Sequence, residues 1–91
     1  MNEINEISEI MEEIEEIALS LSLSERERLE KLSEKAWQMR SVLSRVELKL
    51  LNENNPAVLA NAIAELVQLL RRAIELLPEL IRPHVYEPEY P

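Results

Sequence analysis

Few side chains in this sequence have the type and spacing that chemistry demands. His84 is the sole imidazole and lies among prolines. With no second ligand or nucleophile near it in sequence, it reads as a helix cap or a partner contact rather than a metal ligand or general base. Glu9, Glu13 and Glu16 share the spacing of inward-facing, metal-binding carboxylates. Di-iron bundles combine such residues with Glu-x-x-His on facing helices, and that motif is absent. The three glutamates therefore read as a solvated face, the alternative being a surface for a basic partner. Tyr86-Glu87-Pro88 has a faint likeness to a phosphotyrosine-type peptide, and so short a match is common by chance. Arg71 and Arg72 are adjacent and suited to pairing with glutamates of another helix.

Composition removes most remaining chemistries. The 91 residues include no Gly and no Cys, and Phe, Asp and Thr are also missing. Without Gly there is no glycine-rich phosphate cradle. Without Cys there is no disulfide frame, thiolate nucleophile or cysteine-type zinc site. No cofactor, metal or catalytic residue is expected, and the chain does not read as an enzyme. All 18 acidic residues are Glu, set against ten Lys and Arg, for a net charge of −8. Nucleic acid is an unfavourable partner for such a surface, because binding it requires phosphate neutralisation. The first basic residue is Arg26, which does not suit a secretory leader. The most apolar stretch, Ala57 to Leu77, is interrupted by Asn61, Glu65, Gln68, Arg71, Arg72 and Glu75, too polar for a membrane span. The expectation is a soluble single domain, cytoplasmic if made inside a cell, with no membrane partner.

Three amphipathic helices account for residues 3–77. The first, about 3–19, has Ile4, Ile7, Met11, Ile14, Ala18 and Leu21 at alternating steps of three and four, widened by Ile10 and Ile17. Asn2 is its candidate N-cap. The Leu–Ser alternation over Ser20–Leu23 reads as a connection, not a strand. Ser24 with Glu27 forms a capping box for the second helix, about 25–51. Its principal stripe is Leu29, Leu32, Ala36, Met39, Leu43, Val46 and Leu50. Its net charge of +2 suits it to the glutamate-rich first helix. Asn55 before Pro56 opens the third helix, about 56–77, with a main stripe of Leu59, Ile63, Leu66, Leu70, Ala73 and Leu77. Ala62, Val67, Leu69, Ile74 and Leu76 flank that stripe, so this helix is expected to be the most buried of the three. Pro78 is expected to end or kink it, with a short further turn over 78–82. No ionisable residue falls on these stripes. Short connections make neighbours antiparallel, so the fold class is all-α: an up-down-up three-helix bundle with an extended proline-containing tail, 83–91.

The second helix carries another row. Trp37, Ser41, Ser44, Leu48 and Leu51 also step by four and three, roughly 150° from the principal stripe at about 100° per residue. A bundle helix should be polar there. The row is either covered from within, by the first helix or by the tail with Val85 and Tyr86, or it binds a partner. An extended tail of nine residues reaches roughly 28 Å, enough to return along the bundle. Trp is the residue most enriched in binding hot spots. The candidate protein-binding residues are Trp37, Ser41, Ser44, Leu48 and Leu51, together with Tyr86 and Tyr90 of the tail.

The Ser24-Glu25-Arg26-Glu27 helix start, the Asn52-Glu53-Asn54-Asn55-Pro56-Ala57 turn and the dense Glu/Lys/Arg/Leu/Ala helices give residues 1–82 a particular look. In these features the chain resembles a computationally designed helical mini-protein of the protein-binder type. The tail, with Pro83, Pro88, Pro91 and two Tyr, departs from such a scaffold. The resemblance implies a binder of a target protein with no catalytic activity. The alternative is a structural scaffold or self-associating bundle, with a homodimer seam on the Trp37 row.

Overall fold

The computed structural model describes residues 2–81, with side chains through residue 78. The proposed tail and its His84, Val85, Tyr86 and Tyr90 lie outside the described residues. The fold is all-α, a three-helix bundle of α1 (Asn2–Leu19), α2 (Glu25–Leu51) and α3 (Pro56–Ile81). Among the described residues no helix is long and apolar enough to cross a membrane.

The helix boundaries follow from local hydrogen bonding. Ser24 Oγ accepts from the Glu27 backbone N–H at 3.1 Å, and the Glu27 carboxylate accepts from the Ser24 N–H at 3.0 Å, which closes the capping box. Asn55 Oδ1 accepts from the Ala57 N–H at 2.9 Å and caps α3 beside Pro56. Asn2, read as a cap, is instead already helical. No described residue has a positive φ, so every turn is made without left-handed backbone. That leaves the C-terminus of α1 without a glycine cap, and a side chain substitutes for one. Arg28 is buried, and its guanidinium donates to the Ile17 and Ser20 carbonyls and pairs with Glu25. Carbonyls at a helix end have no intrahelical donor, and a guanidinium satisfies several at once.

Helix α1 is the support for the other two. It packs against both α2 and α3, while α2 and α3 scarcely approach each other. Its apolar arc is wide enough for this: Ile4, Ile7, Ile10, Met11 and Ala18 are buried, and Ile14 and Ile17 are partly so. Ion pairs border the arc on both sides. Towards α2, Glu3 meets Lys49 at 2.9 Å, Glu6 meets Arg45 at 3.0 Å and Glu13 meets Lys35 at 3.0 Å. Towards α3, Glu15 accepts from Arg72 Nε at 3.1 Å. The spacing of the α2 partners fixes an antiparallel register, because α1 positions rise as α2 positions fall. Exposed pairs of this kind contribute little energy each, and their value here is alignment.

The phases of α2 and α3 differ from the sequence reading. On α2 the residues against α1 are Leu32, Met39, Val42 and Val46, the two valines being 3% and 2% exposed. Leu29, at 65% exposed, and also Ala36 and Leu43, turn away from α1, although the principal stripe includes them. On α3 the inward residues are Leu59, Ala62, Leu66, Leu69, Ala73 and Leu76, and Ile63, Leu70 and Leu77 are exposed. Thus α3 is not the most buried helix; α1 is. The cause is geometric. The apolar arc of α3 spans roughly 200°, and one neighbouring helix can cover only about half of that. Leu21, assigned to the first stripe, lies beyond α1 in the connection and is fully exposed. Two ionisable residues outside the stripes, Glu3 and Arg28, are buried, and both are paired. Pro78 does not end α3, which continues to Ile81. Both Pro78 and Ile74, whose carbonyl loses its donor, are exposed, so water can replace the missing bond.

Two stability measurements check this fold. Ile7→Ala should cost about 2–5 kcal/mol in urea unfolding, whereas Leu29→Ala should stay within about 0.5 kcal/mol of wild type. Arg28→Ala should cost about 1–3 kcal/mol by exposing α1 carbonyls that lack partners, and Arg26→Ala, on the open side of the same turn, should change stability by less than about 0.5 kcal/mol.

Candidate protein-binding surface

Trp37, Ser44, Leu48 and Leu51 lie on the face of α2 turned away from α1, with Trp37 68%, Leu48 62% and Leu51 74% exposed. Since α1 packs on the opposite side, it does not cover this row. The row is not one uniform strip. The Trp37 ring carries the Arg40 guanidinium 5.4 Å from its centroid. That cation–π contact orients the indole one turn from its partner and restricts its rotamers. Ser44 donates its hydroxyl to the Arg40 carbonyl at 3.1 Å, which leaves its polar group satisfied within the helix. Ser41 diverges from the others. It borders a polar crevice of about 360 Å³ beside α1, with Glu6, Glu13 and Arg45. Leu51 reaches the other flank and lines a cleft of about 400 Å³ with Leu43 and, from α3, Leu66.

That cleft belongs to a larger apolar feature that the sequence reading missed. Because α2 and α3 are both fastened to α1 and not to each other, a groove opens between them. Its main part has a volume of about 520 Å³, floored by Met11 and Ile14 of α1 and walled by Met39 and Leu43 of α2 and Ala73 and Leu77 of α3. Beside it runs the exposed row of α3: Ile63, Val67, Leu70, Ile74 and Leu77, between 41% and 60% exposed. The signal was present in the sequence. Two adjacent rows of α3 both follow the three-four alternation, and a three-helix bundle has room for one of them.

The candidate chemical residues are dispersed. Glu9 and Glu16 are exposed, Glu13 is engaged with Lys35, and among the described residues no group of three His, Cys, Asp or Glu converges as a metal site. Arg72 pairs with Glu15, as the acidic first helix led one to expect, while Arg71 is exposed. No family model matches the chain, and comparison with curated proteins and with solved structures also finds no match.

Two carboxylates have lowered pKa values. Glu3 is lowered mainly by its hydrogen bond from Lys49. Glu27 is lowered by its bonds to the Ser24 backbone and hydroxyl. A carboxylate depressed on folding stabilises above its unfolded pKa, here near the ordinary 4.5, and that contribution is lost as pH falls through the folded value. The unfolding free-energy difference between wild type and Glu3→Gln/Glu27→Ala should therefore be largest at neutral pH. It should shrink as pH is lowered through the carboxylate range, measured by urea titration at each pH.

Proposed function

We propose that this protein is a protein-binding module that engages a target protein through the outer face of α2. The contacts are Trp37, Leu48 and Leu51, with Ser44 giving close approach between them and Ser41 at the edge. Tyr86 and Tyr90 of the tail are assigned to the same surface. The observation that carries this reading is the exposed Trp37, its ring against the Arg40 guanidinium, on the side opposite the helix that supports the fold. An aromatic side chain loses little conformational freedom on binding and offers a large contact area. The likeness to designed helical binders agrees with it, since such proteins present one rigid helix face to a target. No reaction, cofactor or metal enters the proposal, and nucleic acid and membrane are not its partners. The second reading, a self-associating bundle, draws on a different observation, the exposed row of α3.

Affinity capture from a broad protein library, run in parallel with Trp37→Ala and Leu48→Glu, tests the proposal. A target held by wild type should be weakened roughly thirtyfold or more by Trp37→Ala, the cost of losing a hot-spot anchor. Helical circular dichroism and melting temperature should stay near wild type, because both positions are exposed. Undiminished capture by both variants would refute the assignment, and a large loss of stability would mean that the row is structural.

A further inference from the structure

The protomer leaves its own core unfinished. Among the described residues thirteen large apolar side chains are exposed, more than the nine apolar residues that are buried. None of the large buried side chains is completely shut off from solvent. The exposed residues are ordered. On α3, Ala60, Ile63, Val67, Leu70, Ile74 and Leu77 alternate steps of three and four, about 100° around the helix from the row against α1. That is a heptad seam without a partner helix. On α2, Leu29, Ala36, Leu43 and Leu50 recur every seven residues, and the last three line the α2 side of the groove, Leu50 half-buried there. The geometry is that of a four-helix arrangement with one helix missing, diagonally across from α1.

We propose that a second copy of this chain fills that place about a two-fold axis, each copy laying the α3 seam in the α2–α3 groove of the other. The α2 and α3 helices of both copies then close one shared core. Three observations select a second copy as the occupant. First, the seam and the groove lie side by side on one molecule, which is what a self-complementary two-fold interface requires. Second, the exposed area of the α3 row with Leu29 and Leu43 is on the order of 650 Å² per copy, within the roughly 600–1,000 Å² each partner buries in a standard-size interface. Third, the charge is distributed to permit it. Helix α1 carries seven Glu and no basic residue, whereas α2 nets +2 and α3 nets −1. Association through α2 and α3 puts the two acidic helices on opposite outer sides, beyond the roughly 8 Å over which salt leaves charges coupled. Trp37 and Leu48 face elsewhere on α2, whereas Ser44 and Leu51 border the groove, so the surfaces for a target protein and a second copy meet along that edge.

Sedimentation equilibrium across about 1–100 µM tests the proposal, the range in which a standard-size interface should assemble. The expected mass is twice the 10.6 kDa of one chain. Leu70→Lys/Ile74→Lys should weaken association at least hundredfold, and Trp37→Ala should leave it unchanged. A single-chain mass throughout the range, or a trimer or larger species, would overturn the proposal. So would a dimer that survives Leu70→Lys/Ile74→Lys but is lost in Trp37→Ala/Leu48→Glu. A second measurement does not depend on the lysine variant folding. The chain has no Cys, so Leu70→Cys and Glu12→Cys can each be treated with a bismaleimide. Cross-linked pairs should form through Leu70→Cys and not through Glu12→Cys, and the reverse pattern would sink the idea.

Discussion

Helix α1 has to present one apolar arc to two neighbours, and the rest of the molecule is arranged around that demand. Ile4, Ile7, Ile10, Met11 and Ala18 are spread so that α2 and α3 can both dock while barely meeting each other. Once both are fastened to α1, their remaining apolar residues have no internal partner. The groove, the exposed α3 row and the open character of the core all descend from this. A three-helix bundle closed on itself would have had α2 and α3 in mutual contact and no groove between them.

Charge follows the same division. The glutamates of α1 serve as rims of its docking arc at Glu3, Glu6, Glu13 and Glu15, each opposite a Lys or Arg. Those at Glu9, Glu12 and Glu16 face water. Acidity therefore does two jobs on one helix: it registers the neighbours along the edges and keeps the back solvated. The faces of α2 and α3 that look away from α1 carry both signs, with Arg40 and Glu47 on α2 and Arg71 and Glu75 on α3, set among exposed apolar residues.

How much of this was legible in the sequence depends on the kind of information. The starts of α2 and α3 were legible because each is fixed by a residue or two acting locally: Ser24 with Glu27, and Asn55 with Pro56. The topology was legible because both connections are short. The inward phase of α2 and α3 was not. Leu43 and Val42, or Ile63 and Ala62, are neighbours in sequence and about 100° apart on the helix, and periodicity alone accepts either row. Choosing between them requires knowing that α1 takes the Val42–Val46 side, where Lys35, Arg45 and Lys49 find their glutamates. The cation pattern held that information, since those three basic residues flank Val42 and Val46 and not Leu29 or Leu43. Arg28 was invisible for another reason. Its role is set by the distance to the end of a preceding helix, and no local motif marks it. The Trp37 row was conspicuous as a single Trp opposite an apolar stripe, but its sequence left open whether the first helix, the tail or a partner covers it; α1 packs on the other side of α2.

The absence of any positive φ among the described residues has a consequence for how the fold tolerates change. A backbone that never enters the left-handed region imposes no steric veto on which L-residue occupies a turn. In most small domains some positions admit glycine alone, and mutation there is punished by strain. In this chain the connections at 20–23 and 52–55 are constrained by ordinary turn hydrogen bonds of the backbone and by those that particular side chains supply. Its loops are open to sequence drift in a way its helix faces are not, so variation that preserves the fold should accumulate at the ends of the bundle and spare the arc of α1.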